Sequence, residues 1–125
     1  MAEPAEALAR VVVDAGFKVH KGLGPGLLES AYEHCLAFEL QSRGILFERQ
    51  VALPIVYEGN KLDAGYRVDL LVEKTLLIEI KAVDAILRIH HAQVLTYLKL
   101  SGARIGFLMN FNVELFKQGV KRFAL

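Results

Sequence analysis

Apolar side chains recur three and four positions apart through the first forty residues. Leu8, Val11, Val12, Ala15 and Val19 share one face of a helix predicted over residues 4–21. Gly22-Leu23-Gly24-Pro25-Gly26 breaks it. Pro25 suits the start of a second helix, in which Leu28, Ala31, Tyr32, Cys35, Leu36 and Leu40 keep the helical period until Gly44. From Ile45 the pattern changes to short runs rich in Val, Ile, Leu and Tyr at 45–57, 64–72 and 76–83, divided by Glu58-Gly59-Asn60 and Glu73-Lys74-Thr75. These predict an antiparallel meander. Pro54 has no N–H to give a ladder, so the first run is expected at a sheet edge or with a bulge. A third helix over about 86–100 stops at Ser101-Gly102. A strand follows from Arg104 to Phe111, where Gly106 permits close backbone approach. Lys117, Lys121 and Arg122 form a short basic tail, read as solvated in preference to touching a nucleic-acid backbone.

A chain of 125 residues is the size of one domain, so residues 1–125 are read as a single α/β unit with one site. With 54% hydrophobic and 23% charged residues it is no disordered chain, and no apolar run reaches the roughly 18 residues of a membrane span. The N-terminal Met1-Ala2-Glu3-Pro4-Ala5-Glu6 lacks the basic and apolar stretches of an export signal, which makes the cytoplasm the expected compartment. The single Cys35 has no disulfide partner and is read as core packing. A net charge of +1 is too weak to announce a nucleic-acid partner.

The candidate chemistry lies in the strands. A hairpin loop centred on Lys74 sets Asp69 opposite Glu79 and Leu71 opposite Leu77. Directly opposed residues point to the same side with Cβ atoms about 4.5–5.5 Å apart. Lys81 shares that side, while Leu70, Val72, Ile78 and Ile80 face the helices. Two carboxylates beside each other in Leu76-Leu77-Ile78-Glu79-Ile80 repel and resist desolvation unless a cation joins them, and magnesium favours such hard oxygen ligands. A solvated face bearing a Glu79–Lys81 surface ion pair explains the same spacing equally well.

Val68-Asp69-Leu70-Leu71-Val72 followed by Ile78-Glu79-Ile80-Lys81 resembles the core of the PD-(D/E)XK nuclease superfamily. More closely, the chain is similar to its GxxExxY family. Gly26, Glu29 and Tyr32 supply the naming motif, and Gln93-Val94-Leu95-Thr96-Tyr97 and Gly106-Phe107-Leu108-Met109-Asn110-Phe111 follow in order. Val68 stands where the superfamily's nickname has proline, a position that ligates nothing.

The resemblance implies a restriction-endonuclease-like core, with a central mixed sheet of about four to five strands flanked by helices. It implies a nuclease dependent on Mg2+ or Mn2+ that hydrolyses phosphodiester bonds in nucleic acid, expected to be DNA. Asp69 and Glu79 would hold the metal with the Ile80 carbonyl, and Glu29 would bind it directly or through water. Lys81 would position the attacking water or steady the charged phosphorane. Gln93 and Tyr97, four apart on one helical face, would shape the site and contact substrate.

Other residues read more simply. His90-His91 suits a helix surface better than ligation, and the Gly22–Gly26 stretch lacks the Gly-Lys-Ser/Thr of a phosphate loop. The alternative function is a non-catalytic module that keeps the fold to bind nucleic acid or a partner protein. Small size and weak charge motivate it, because many substrate contacts would need a homodimer or partner protein. A third reading is a complex-forming subunit whose sheet edge pairs with another chain.

Overall fold

α1 (Pro4–Leu23) opens at a proline, whose missing N–H costs nothing in a first turn, and buries Leu8, Val12, Ala15 and Val19 along one stripe. The structure is a computed structural model that describes residues 4–125; Met1, Ala2 and Glu3, read above as part of the N-terminal segment, lie outside the described residues. α2 (Glu29–Ser42) begins four residues after Pro25, the expected start. Gly24 and Gly26 adopt φ of +68° and +102°, and between them Pro25 shapes a turn instead of a first helical turn. Tyr32 closes this turn, donating its hydroxyl to the Gly24 carbonyl at 2.6 Å and accepting the Leu27 N–H at 3.1 Å. Its ring stacks on Phe111 at 4.5 Å.

The run 45–57 divides at Pro54. β1 (Phe47–Ala52) lies at the edge of the main sheet, whereas β2 (Ile55–Tyr57) pairs with β3 (Asn60–Leu62) in a separate two-stranded hairpin. The predicted simple meander is thus interrupted: Leu53 donates its N–H to the Tyr66 carbonyl at 2.9 Å, and the hairpin loops out between them. β4 (Arg67–Val72) and β5 (Leu76–Lys81) then form the expected antiparallel hairpin. α3 (Arg88–Ser101) crosses to β6 (Ile105–Asn110), which runs parallel to β5. The expected basic tail is instead a short 3-10 turn (Phe116–Gln118) and an edge strand, β7 (Val120–Phe123), antiparallel to β6. Phe123 anchors it in the core, while Arg122 pairs with Glu6 of α1.

The main sheet therefore has the order β1-β4-β5-β6-β7 and is mixed, as a restriction-endonuclease-like fold requires. α1 and α2 cover one face over Leu36, Leu40, Leu70, Ile78, Ile80 and Met109. α3 covers the other over Val68, Leu77, Val94, Tyr97, Leu98 and Leu108. Burial on both faces explains why β5 is apolar at every position except Glu79 and Lys81. Gly106 lets α3 lie close: a Cβ there would sit 2.9 Å from the Val94 side chain. Cys35 is half-buried against the first cluster. No helix among the described residues is long and apolar enough to cross a membrane.

Candidate active site

The site forms where the backbone ladders give out. β4 and β5 pair at Val72–Leu76, Leu71–Leu77 and Leu70–Ile78, the register a loop centred on Lys74 predicts. Beyond Leu70 the carboxylates replace the ladder. Asp69 donates its N–H to Glu79 Oε1 at 3.2 Å, and Ile80 donates its N–H to Asp69 Oδ2 at 2.7 Å. Each acidic side chain thus serves a backbone group of the opposite strand, which fixes both and brings them together.

The same break occurs on the other side of β4. β1 pairs with it at Arg49–Leu70 and Val51–Val68, but the Gln50–Asp69 pair between them is missing, and Gln50 has a left-handed φ of +51°. At this point both strands exchange faces. Phe47 and Leu70 belong to the core under α1 and α2, and Val51 and Val68 to the core under α3. Gln50 spans the gap by side chain, donating Nε2 to Asp69 Oδ1 at 3.2 Å and to Glu33 Oε1 at 2.6 Å. Arg49 completes the support with two donors to Glu33 Oε2, at 3.1 and 2.7 Å.

Glu33, Gln50 and Arg49 escaped the sequence reading. Glu33 had a usable signal: it follows Glu29 by four residues, so both lie on one face of α2. Gln50 had none, because nothing in Glu48-Arg49-Gln50-Val51 announces a left-handed residue in a strand.

Burial dominates the electrostatics. Glu79 is 4% exposed, and its pKa is pushed up to about 8, first by burial and then by the charge of Asp69; the Asp69 N–H and Lys81 act in the opposite direction. Asp69, half-buried, is also raised, mainly by burial and further by Glu33 and Glu29, against the donors Ile80 and Gln50. A buried pair that cannot easily carry two negative charges, with oxygen donors only, fits a divalent cation whose remaining positions are taken by water and phosphate.

Lys81 ends β5 beside this pair. Glu29, the first residue of α2, is exposed and apart from it: its charge raises both carboxyl groups, yet no three acidic, histidine or cysteine side chains converge on a metal-binding point among the described residues. Ile80 contributes its N–H to the site while its side chain fills the core. Gln93 donates to the hydroxyl of buried Tyr97 at 3.0 Å, and burial followed by the Glu79 charge raises the Tyr97 pKa. Both line a groove of about 530 Å3 that reaches Lys81. His90 accepts the Leu87 N–H at 3.0 Å and so caps α3, while His91 packs edge-on against Phe123.

The family model for the PD-(D/E)XK nuclease superfamily matches residues 6–123. No curated protein and no solved structure matches the chain.

Proposed function

Because the chain belongs to the PD-(D/E)XK nuclease superfamily, we propose that it hydrolyses phosphodiester bonds in nucleic acid, DNA foremost, as a single domain with the Asp69–Glu79 pair as its metal-holding centre. The observation that carries this reading is the reciprocal clasp of two raised-pKa carboxylates at the end of the β4–β5 ladder. A structural role alone explains it poorly, since two apolar residues would cost less to bury there. The Gly26, Glu29 and Tyr32 spacing supports the finer assignment to the GxxExxY family, with Tyr32 holding the turn that precedes Glu29.

Asp69 and Glu79 would hold Mg2+ or Mn2+, with the Ile80 carbonyl as a third donor and Glu29 acting through water. When bound, such an ion supplies Lewis acidity toward the phosphate and a more acidic water. The protein's own groups do the rest. Gln50, held by Glu33, keeps Asp69 aimed at the site. Glu79 would hold the ion as a carboxylate, its proton passing to solvent water. The Lys81 ammonium orients the attacking water and offsets charge developing on the phosphoryl oxygens, which favours in-line displacement leaving a 5′-phosphate. Gln93 and Tyr97 form the wall against which substrate rests.

The test is cleavage of single- and double-stranded DNA and RNA with magnesium, manganese or chelator. Metal-dependent product from the wild type should fall about 100- to 1,000-fold in Asp69→Asn and Lys81→Ala, the cost typical of a lost electrostatic group. Equal product from both variants would contradict the site. No product from any nucleic acid would contradict hydrolysis and favour the binding module.

A further inference from the structure

We propose that the groove beside Lys81 is a subsite for one unpaired nucleobase, which makes single-stranded nucleic acid the substrate form. The proposal rests on the nuclease reading of the adjacent carboxylate pair and adds a function for residues outside it. The groove holds about 530 Å3, within the range of small-molecule sites. One wall is α3, with Ile89, Gln93 and Tyr97. The other comes from the β2–β3 excursion, with Ile55 and Tyr66.

Tyr66 is the stacking element. The residue is 43% exposed and lines the groove, and its ring meets the buried Tyr97 ring at 6.3 Å and 62°, a contact that holds it in place. Ile89, 67% exposed, offers apolar surface from α3. Polar groups suited to a base edge are few and placed on the α3 wall: Gln93 has its carbonyl oxygen available while its amide donates to Tyr97, and Thr96 adds a hydroxyl.

Charge selects the occupant. Among the described residues no carboxylate lines this groove, and its basic residues are Lys81 and His90, so the end nearest the acidic pair suits a phosphate. A larger groove between α1 and β7 is more apolar, carries Glu6 and Asp14 alongside Arg10, Lys117 and Arg122, and shares no lining residue with the acidic pair or Lys81, so it offers a strand held there no continuation from the reacting centre. A paired base keeps both faces stacked and its edge occupied. Reaching Tyr66 would require it to be flipped out, at a cost that an already unpaired strand does not meet.

Anisotropy titrations in chelator separate base capture from hydrolysis. The probes are a labelled deoxyoligonucleotide, its ribo counterpart and the blunt duplex of the same sequence. The wild type should bind at least one single strand more tightly than the duplex, the deoxy and ribo arms deciding which sugar is accepted. Tyr66→Ala should weaken that binding by roughly 5- to 150-fold, the range of one base–aromatic stack. Tyr66→Phe should preserve it, and Ile89→Asp, at an exposed position, should weaken it by placing a carboxylate in the groove. Single-strand binding unchanged in both Tyr66→Ala and Ile89→Asp, or duplex bound as tightly as both single strands, would overturn the subsite. Parallel cleavage assays with metal keep the two readings apart. Cleavage that ignores Tyr66 and Ile89 sinks the subsite alone, whereas Tyr66-dependent binding without cleavage supports the subsite and sinks hydrolysis.

Discussion

The two halves of the β4–β5 hairpin differ in what satisfies their backbone. Near the turn, Leu70 to Val72 and Leu76 to Ile78 pair through the ladder, and their side chains are free to pack; all but half-buried Leu71 are fully buried. One step outward, Asp69 and Glu79 receive the N–H groups of Ile80 and Asp69 with their carboxyl oxygens. The closed half puts its side chains into stability. The open half uses backbone donors to hold two acids whose pKa values are both raised, Asp69 mainly by burial and Glu79 by burial and then by the charge of Asp69. A sheet can thus position a charged site without leaving the sheet, by ending a ladder one residue early.

That contrast predicts a pH dependence confined to the open half. Glu79 has a folded pKa of about 8 against an ordinary 4.5, so the folded state holds its proton longer than the unfolded one. Stability from this group is full below 4.5 and is lost as pH rises through 8. At about 1.36 kcal/mol per pKa unit the loss reaches at most about 5 kcal/mol in metal-free protein. Urea unfolding in chelator at pH 5 and pH 8 should show the decline, and Glu79→Gln should remove most of it, leaving the same-signed contribution of Asp69. Parallel slopes in the two proteins would erase the distinction between the halves.

Disturbing the closed half should do the reverse. Ile78 is fully buried, and Ile78→Ala should cost about 2–5 kcal/mol of stability without altering cleavage per folded molecule. Denaturant melts paired with single-turnover assays read both quantities. Smaller still is the support from β1. Gln50→Ala removes a donor shared by two acidic groups and should cost about 1.5–3 kcal/mol, whereas Gln50→Gly should cost less because glycine tolerates the φ of +51°. Equal losses in both would mean that the lost side chain, not the backbone conformation, limits this position.

The contrast also shows what the chain discloses in advance. The amphipathic stripe of α1, the β4–β5 register and the succession of α3 by β6 were legible because periodicity and turn residues dictate them, whereas the parallel pairing of β6 with β5 was not. The β2–β3 hairpin and β7 were not: strands of three and four residues offer too little alternation, and Lys121 and Arg122 within β7 resemble a solvated end. Within the site, Asp69, Glu79 and Lys81 could be placed together from spacing alone. The Glu33–Gln50 support could not, because it depends on two strands exchanging faces at a residue whose left-handed backbone has no sequence signature.

Calorimetric titration of magnesium or manganese at pH 7, in two buffers of different ionisation enthalpy, tests the shared-cation centre most directly. Wild type should bind one class of ion with release of protons, because Glu79 enters largely protonated and leaves ionised. Asp69→Asn should lose most of that heat while keeping its fold. Binding of equal strength in the variant, or no saturable binding by the wild type, would contradict the account.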